Sequence, residues 1–287
     1  MAEQDPRTPL PPVAPTRAAP PASVPAQRYP QPLWPRNLRN WTMVWYRNFM
    51  VWKKLAVPSM IGNLADPMIY LFGLGLGLGM LVGHVSGVSY IAFLAAGTTA
   101  SSVMMSASFE AMYSAFSRMH VQRTWEAIMH APLTLGDVVL GEIAWAASKA
   151  VLSGTAIMLV AGVLGYAHWS GMLPALAVIA LAGLAFAGLA TIVTALAPSY
   201  DFFMFYQTLA MTPMLLLSGV FFPLEQLPSA VQAAAKALPL AHAVALIRPL
   251  LLGWPLQGAW LHVAVLAAYA LAALLVSLML LRRRLLR

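Results

Sequence analysis

LSGVFFPLEQLPSAVQAAAKALPLAHAVALIRPLLLG, residues 217–253, is apolar enough for a bilayer, yet Pro223, Pro228, Pro239 and Pro249 cut it into pieces too short to cross one. A plain spanning helix does not read this way. The stretch reads as a span that ends near Phe222, followed by short interfacial or re-entrant helices. Irregular backbone at membrane depth has to be buried in protein or line water. Such polypeptide points to a transport path.

The chain around it has the composition that this reading requires. Of 287 residues, 60% are hydrophobic and 9% are charged, and the mean hydropathy is +0.74. Soluble domains carry about 25% charged residues, so this chain could not cover its own surface in water. There is no cysteine, which excludes disulfides, zinc–thiolate sites, iron–sulfur clusters and thiol nucleophiles. The net charge is +8. In a soluble protein that would suggest nucleic acid. Here the basic residues gather at span ends, where they set topology and meet anionic headgroups, so membrane lipid is the expected partner and nucleic acid is not.

Working outward, six spans are expected, at about 55–82, 90–114, 136–165, 173–197, 202–222 and 258–281. Residues 1–36 hold eleven of the 22 prolines and read as a disordered tail. Residues 37–54 place Leu38, Trp41, Trp45, Phe49 and Trp52 on one helical stripe, with Asn40, Arg47 and Lys54 opposite. That pattern predicts an interfacial helix leading into the first span. The permease domain then covers 55–287. Arg36, Arg39, Arg47, Lys53, Lys54, Arg118, Arg123, Arg282, Arg283, Arg284 and Arg287 fall on one side of the spans. The positive-inside rule makes that side cytoplasmic, with both termini there.

No G-x-x-x-x-G-K-[ST] occurs, and none of the four lysines follows a glycine. The chain therefore lacks a Walker-type nucleotide cradle, and any ATP that drives it must be hydrolysed by another polypeptide. Gly73, Gly75, Gly77 and Gly79 lie inside an apolar span without lysine, at a spacing that suits close helix packing. The six histidines are scattered without metal-ligand spacing, and no nucleophile motif is present.

Asp66, Glu110, Glu142 and Lys149 are the ionisable residues within or near spans. Each costs about 3 kcal/mol at mid-bilayer on insertion scales, so each should face protein, water or substrate. Asp66, before Pro67, could satisfy a helix break. Glu142 and Lys149 share a face seven residues apart, too far for direct pairing on one helix, and read as snorkelling or structurally paired. All four are candidates for the transport path, and Glu110 is the better polar point on it. Residues 118–137, RMHVQRTWEAIMHAPLTLGD, end in a Pro132 turn with Asp137 as a possible cap. They are either a solvated loop or a docking element for a soluble partner.

Residues from about 37 to 287 resemble the type-2 ABC exporter permeases. The runs that carry the likeness are DPMIYLFGLGLGLG (66–79), YIAFLAAG (90–97), RTWEAI (123–128), LGEIAWAASKA (140–150), TALAPSYDFFMFYQT (194–208), LSGVFFPLEQLP (217–228), LPLAHAVALIRPLLLG (238–253) and the C-terminal LLRRRLLR. Within that group the chain is similar to the nodulation protein J family, the membrane subunit of nodulation-factor exporters. Residues 1–36 lie outside the resemblance. It implies an all-α integral membrane protein of six spans, with an N-terminal interfacial helix and external broken helices before the last span. It also implies a homodimer in the bacterial inner membrane with two separate ABC ATPase subunits, which would carry ATP and Mg. Arg118, Arg123, Trp125 and Glu126 would then lie where the ATPase docks. Phe221, Phe222, Pro223, Glu225, Pro228, His242 and Arg248 would belong to the external gate. The implied cargo is amphiphilic: lipo-oligosaccharides, lipids, glycan precursors or hydrophobic drugs. The chain itself is expected to be no enzyme and to hold no cofactor or metal. Two other readings stay open from the residues alone, a proton-coupled carrier using Asp66, Glu110 and Lys149, and a membrane scaffold recruiting soluble proteins.

Overall fold

The computed structural model describes residue 37 and residues 39–286. The proline-rich tail, Leu38 and the Asp66 side chain lie outside the described residues, so the expectations placed on them find no counterpart below. What is described is helical apart from one two-stranded hairpin. The order is α1 (Trp41–Lys53), α2 (Ala56–Ile69) running through a π turn into α3 (Gly75–Val82), the hairpin β1 (His84–Val85) and β2 (Val88–Ser89), α4 (Tyr90–Phe109), α5 (Thr124–Met129), α6 (Leu135–Val163), α7 (Trp169–Leu196), α8 (Phe202–Tyr206), α9 (Thr212–Leu217), α10 (Ser229–Ala235), α11 (Pro239–Leu252) and α12 (Ala259–Leu285). Beyond Phe109, α4 continues through π turns at Glu110–Ser114 and Ser117–Val121.

Five helices among the described residues are long and apolar enough to cross a membrane: Ala56–Val82, Tyr90–Val121, Leu135–Val163, Trp169–Leu196 and Ala259–Leu285. A sixth crossing exists only if α10 and α11, bent by 88° at Pro239, count as one span. The expected span at 202–222 is therefore shorter than its sequence suggests. The helix Phe202–Leu217 reaches about 24 Å at 1.5 Å per residue, short of a ~30 Å hydrocarbon core. Pro213 lacks an N–H and crowds the preceding turn, which widens to a π turn at Gln207–Met211; the Thr212 hydroxyl donates to the Gln207 carbonyl at 3.0 Å. Gly219, at φ +77°, then turns the chain out of the helix.

α4 is the central helix and is almost wholly buried. Its sequence explains why. Ala, Ser, Thr and Gly make it thin, so α6, α7 and α11 can all pack on it. Four of its hydroxyls turn back on its own carbonyls, Thr98 and Thr99 onto Ala95, Ser101 onto Thr98 and Ser102 onto Thr99, which satisfies those buried groups. α12 lies on the far side of α7, with most of its surface open.

α1 departs from its expected orientation. The aromatic stripe does not simply face a headgroup layer. Trp45, Phe49 and Trp52 surround Trp145 of α6, with ring centroids 5.7–6.4 Å apart. Val44 is buried against Gly141, where a β-carbon would meet the Val44 side chain at 2.6 Å and the Trp41 carbonyl at 2.8 Å. Met43, Tyr46, Met50 and Val51 are the exposed apolar residues instead. The glycine run splits likewise. Gly75 meets Ile91 of α4, whereas Gly73 and Gly77 face open space. At the head of α6 the cap is Thr134. Asp137 reciprocates from the first turn, accepting from the Thr134 N–H at 2.8 Å while its own N–H donates to the Thr134 hydroxyl at 3.2 Å.

Candidate functional site

Two polar constellations stand out, one at each end of α4. The first sits at the basic end. Arg118 lies between two carboxylates, Glu110 about two turns earlier on the same helix and Glu142 on α6. Its Nε donates to both Glu142 oxygens at 3.0 and 3.1 Å, and its Nη2 donates to Glu142 Oε2 at 2.5 Å and to Glu110 Oε1 at 3.0 Å. Lys149 Nζ donates to Glu110 Oε2 at 3.0 Å. Two indoles complete the shell, Trp125 Nε1 to Glu142 at 3.0 Å and Trp145 Nε1 to Glu110 at 2.9 Å. The two carboxylate side chains are 4% and 2% exposed. Two cations and two anions thus cancel inside protein, and every carboxylate oxygen has a donor.

The helix geometry that permits this is local. At 3.6 residues per turn, positions eight apart diverge by about 80°. The π turns rotate less per residue and bring Glu110 and Arg118 back toward one face. A widened turn frees carbonyls, and one of them, at Ala111, accepts from the Thr194 hydroxyl of α7 at 2.7 Å. Glu142 and Lys149, expected to snorkel or to pair structurally, each take a partner on α4. Arg118, expected at the docking surface, turns its guanidinium inward onto Glu110 and Glu142. Trp125, expected there too, is fully buried. Arg123 and Glu126 do lie on the exposed side of α5, with Arg123 at φ +51° opening the helix. Chemically the cluster holds fixed charges. Glu110 already holds two cations and an indole N–H, which fits a structural tie better than a proton relay.

The second constellation sits at the opposite end. Arg248 of α11 is buried, and its Nη2 donates to the Gly219 carbonyl at 2.7 Å and the Val220 carbonyl at 3.1 Å. These carbonyls follow the end of α9, where no helical N–H remains for them, and a cation suits that helix end. The guanidinium also lies 3.7 Å from the Phe93 ring centroid. Gly97 of α4 lets the Val220 carbonyl approach where any side chain would collide. A cavity of about 200 Å³ opens beside this arrangement, lined among others by Phe93, Pro223, Glu225, Arg248 and Trp254.

The structure brings some of the expected gate residues together and leaves others apart. Arg248, Pro223 and Glu225 share the cavity. Phe221 is tied to the head of α4, its carbonyl accepting from the Tyr90 hydroxyl at 3.2 Å. Phe222 is half-buried, and Pro228 is exposed ahead of α10. His242 lies elsewhere. Its Nδ1 is 2.7 Å from Nδ1 of His262 on α12, and its Nε2 is 2.8 Å from the Lys236 carbonyl. His262 was missed by sequence reading, as was Phe93. Neither carries a local signal, since each acts on a residue many positions away.

Residues 39–252 match the model of the ABC-2 type transporter family. The chain is 60% identical to nodulation protein J of Rhizobium meliloti strain 1021 over 251 residues, covering 88% of this chain and 96% of that protein. It is 60% identical over 248 residues to nodulation protein J of Rhizobium leguminosarum bv. viciae, covering 86% and 96%. For nodulation protein J of Rhizobium leguminosarum bv. trifolii the figures are 57% over 253 residues, 88% and 97%.

Proposed function

This chain belongs to the ABC-2 type transporter family as a membrane-spanning permease subunit, and we propose that it is driven by a separate ATP-hydrolysing subunit. The observation that carries this reading is the charge cluster at the basic end. It welds α5, the end of α4 and the start of α6 into one body, while Arg123 and Glu126 stay exposed on α5. A soluble subunit pressing on α5 would move α4 and α6 together rather than bend a loop. α4 runs from there to the Arg248 arrangement at the other end. Movement of α4 would therefore reach the broken segment directly, through Gly97 and Phe93.

In this account the basic end faces the cytoplasm of a bacterium, both termini lie there and the membrane is the inner one. The sequence carries no nucleotide cradle of its own, so ATP and Mg belong to the partner, in two copies around a permease dimer. Asp66 remains a path candidate on its sequence position. The cargo is an amphiphile carried outward. The relatives' name, nodulation protein J, and the resemblance noted above favour a lipo-oligosaccharide. Co-expression with the ATPase encoded nearest to this chain, followed by affinity purification, tests the partnership. A stable complex whose ATP hydrolysis is stimulated by cargo is expected; a permease that recovers alone, with ATPase activity indifferent to it, would defeat the reading.

A further inference from the structure

A cavity of about 490 Å³ lies at the basic end between α1, the foot of α2, the π-turn end of α4 and α6. Its wall is rich in donors and poor in free acceptors. Glu110 is the carboxylate on the described wall, and its oxygens already accept from Arg118, Lys149 and Trp145. Arg47, Arg118 and Lys149 share the wall. Counting Glu142 behind Arg118, three cations meet two carboxylates, which leaves one positive charge in excess.

Asn48 gives the independent sign that something is meant to bind. It lines the cavity and is 3% exposed. Its Oδ1 accepts from Arg47 Nη1 at 3.0 Å, but its Nδ2 has no partner. A buried amide donor left unpaired keeps its full desolvation penalty. An oxygen acceptor in the cavity would recover that. Arg47 lies outside the spans, and its pKa is lowered first by burial and then by the like charge of Arg118, against the pull of Glu142. An anion beside both guanidiniums would relieve that repulsion. The rest of the rim is apolar. Val51 and Leu55 line it and are exposed, continuous with the open apolar surface of α2.

We propose that this cavity holds the phosphodiester headgroup of an anionic phospholipid, with its acyl chains leaving past Val51 and Leu55. Asn48 Nδ2 and the Arg47 N–H groups not committed to Asn48 supply the donors, and Lys149 adds its remaining N–H groups. The lipid would wedge α1 against α4 and α6, next to the charge cluster. This goes beyond the transport reading and is measured on the chain alone, so it can fail or hold whatever the fate of the ATPase partnership.

The full-length protein is reconstituted in nanodiscs of equimolar phosphatidylglycerol and phosphatidylcholine, released into mild detergent, and its retained lipids are counted by native mass spectrometry. Wild type should keep phosphatidylglycerol in preference. Arg47→Gln should reduce that preference about tenfold, the size of one charge-assisted hydrogen bond. Asn48→Leu should reduce it without changing charge, and Arg283→Gln, an exposed cation at the same end but off the cavity, should not. Unaltered thermal unfolding in pure phosphatidylcholine nanodiscs marks the Arg47 and Asn48 variants as folded. Equal retention of both lipids by wild type, or equal losses in Arg47→Gln and Arg283→Gln, would overturn the site. Displacement of the phosphatidylglycerol by millimolar inorganic phosphate would assign the cavity to a free anion and overturn the lipid.

Discussion

Glu110 and Arg118 lie 3.0 Å apart on one helix although eight residues separate them. On an unbroken α-helix they would point about 80° apart. The π turns at Glu110–Ser114 and Ser117–Val121 are what allow the contact, and Glu142 and Lys149 of α6 complete it. The pairing makes the basic end of α4 a rigid junction with α5 and α6.

Removing Arg118 should therefore be costly. Arg118→Leu leaves Glu142 with only the Trp125 indole and Glu110 without one of its cations, and loss of one partner from a buried ion pair costs about 3–5 kcal/mol. The double variant Arg118→Leu with Glu142→Leu removes both charges and should recover much of that loss. Thermal unfolding of the purified variants in one detergent checks both. Equal destabilisation by the single and double changes would mean that the charges are not coupled.

α5 separates stability from coupling. Trp125→Phe loses the indole hydrogen bond to Glu142 and leaves a small void at a fully buried site, so it should destabilise by about 2–4 kcal/mol. Arg123→Glu and Glu126→Arg alter the exposed side and should leave the melting temperature unchanged while weakening ATPase association. Pull-down of the ATPase beside a melting curve tells the two effects apart; a full complement of bound ATPase in both charge reversals would remove these residues from the interface.

Arg248 should hold the broken segment in place. Arg248→Leu strands the Gly219 and Val220 carbonyls and the Phe93 face, so residues 219–228 should become open to protease and transport should fall by at least tenfold. Arg248→Lys retains the charge but has a shorter reach and no flat guanidinium to lie on the Phe93 ring, and should recover only part of the loss. Mapping cleavage sites by mass spectrometry checks the local effect. Protection of 219–228 in the leucine variant would contradict it.

The two histidines tie the bent pair to α12. His242 Nε2 donates to the Lys236 carbonyl, so its Nδ1 is an acceptor for the Nδ1–H of His262. His262→Phe removes that donor and leaves His242 Nδ1 unpaired. Hydrogen exchange over 236–242 should quicken in the variant relative to wild type. Exchange that is the same in both would rule this out.

These particulars divide according to what a linear sequence can carry. Pro223, Pro228 and Pro239 announce the breaks around α10 and α11 because proline acts on its own backbone. The long spans are visible because apolar length is local, and the shortness of Phe202–Leu217 was not, because apolar residues continue past Gly219. The charge cluster was half legible. Glu110, Glu142 and Lys149 are conspicuous in apolar helices, but Arg118, the partner that Glu110 and Glu142 share, is read as a loop residue unless π turns carry α4 on to Val121. Trp125 looks like an exposed anchor until Glu142 is seen beneath it. His242 and His262 meet only because the bent α10–α11 pair returns against the head of α12.

The central claim is that this permease moves cargo only when an attached ATPase does work on α5. Proteoliposomes holding the permease alone, and the permease with its ATPase, are loaded with a fluorescent lipo-oligosaccharide and given Mg-ATP on the side of Arg123. Uphill movement is predicted in the second set only, and should vanish with Arg123→Glu/Glu126→Arg. Concentrative transport by the permease alone, with no second protein present, would contradict the account.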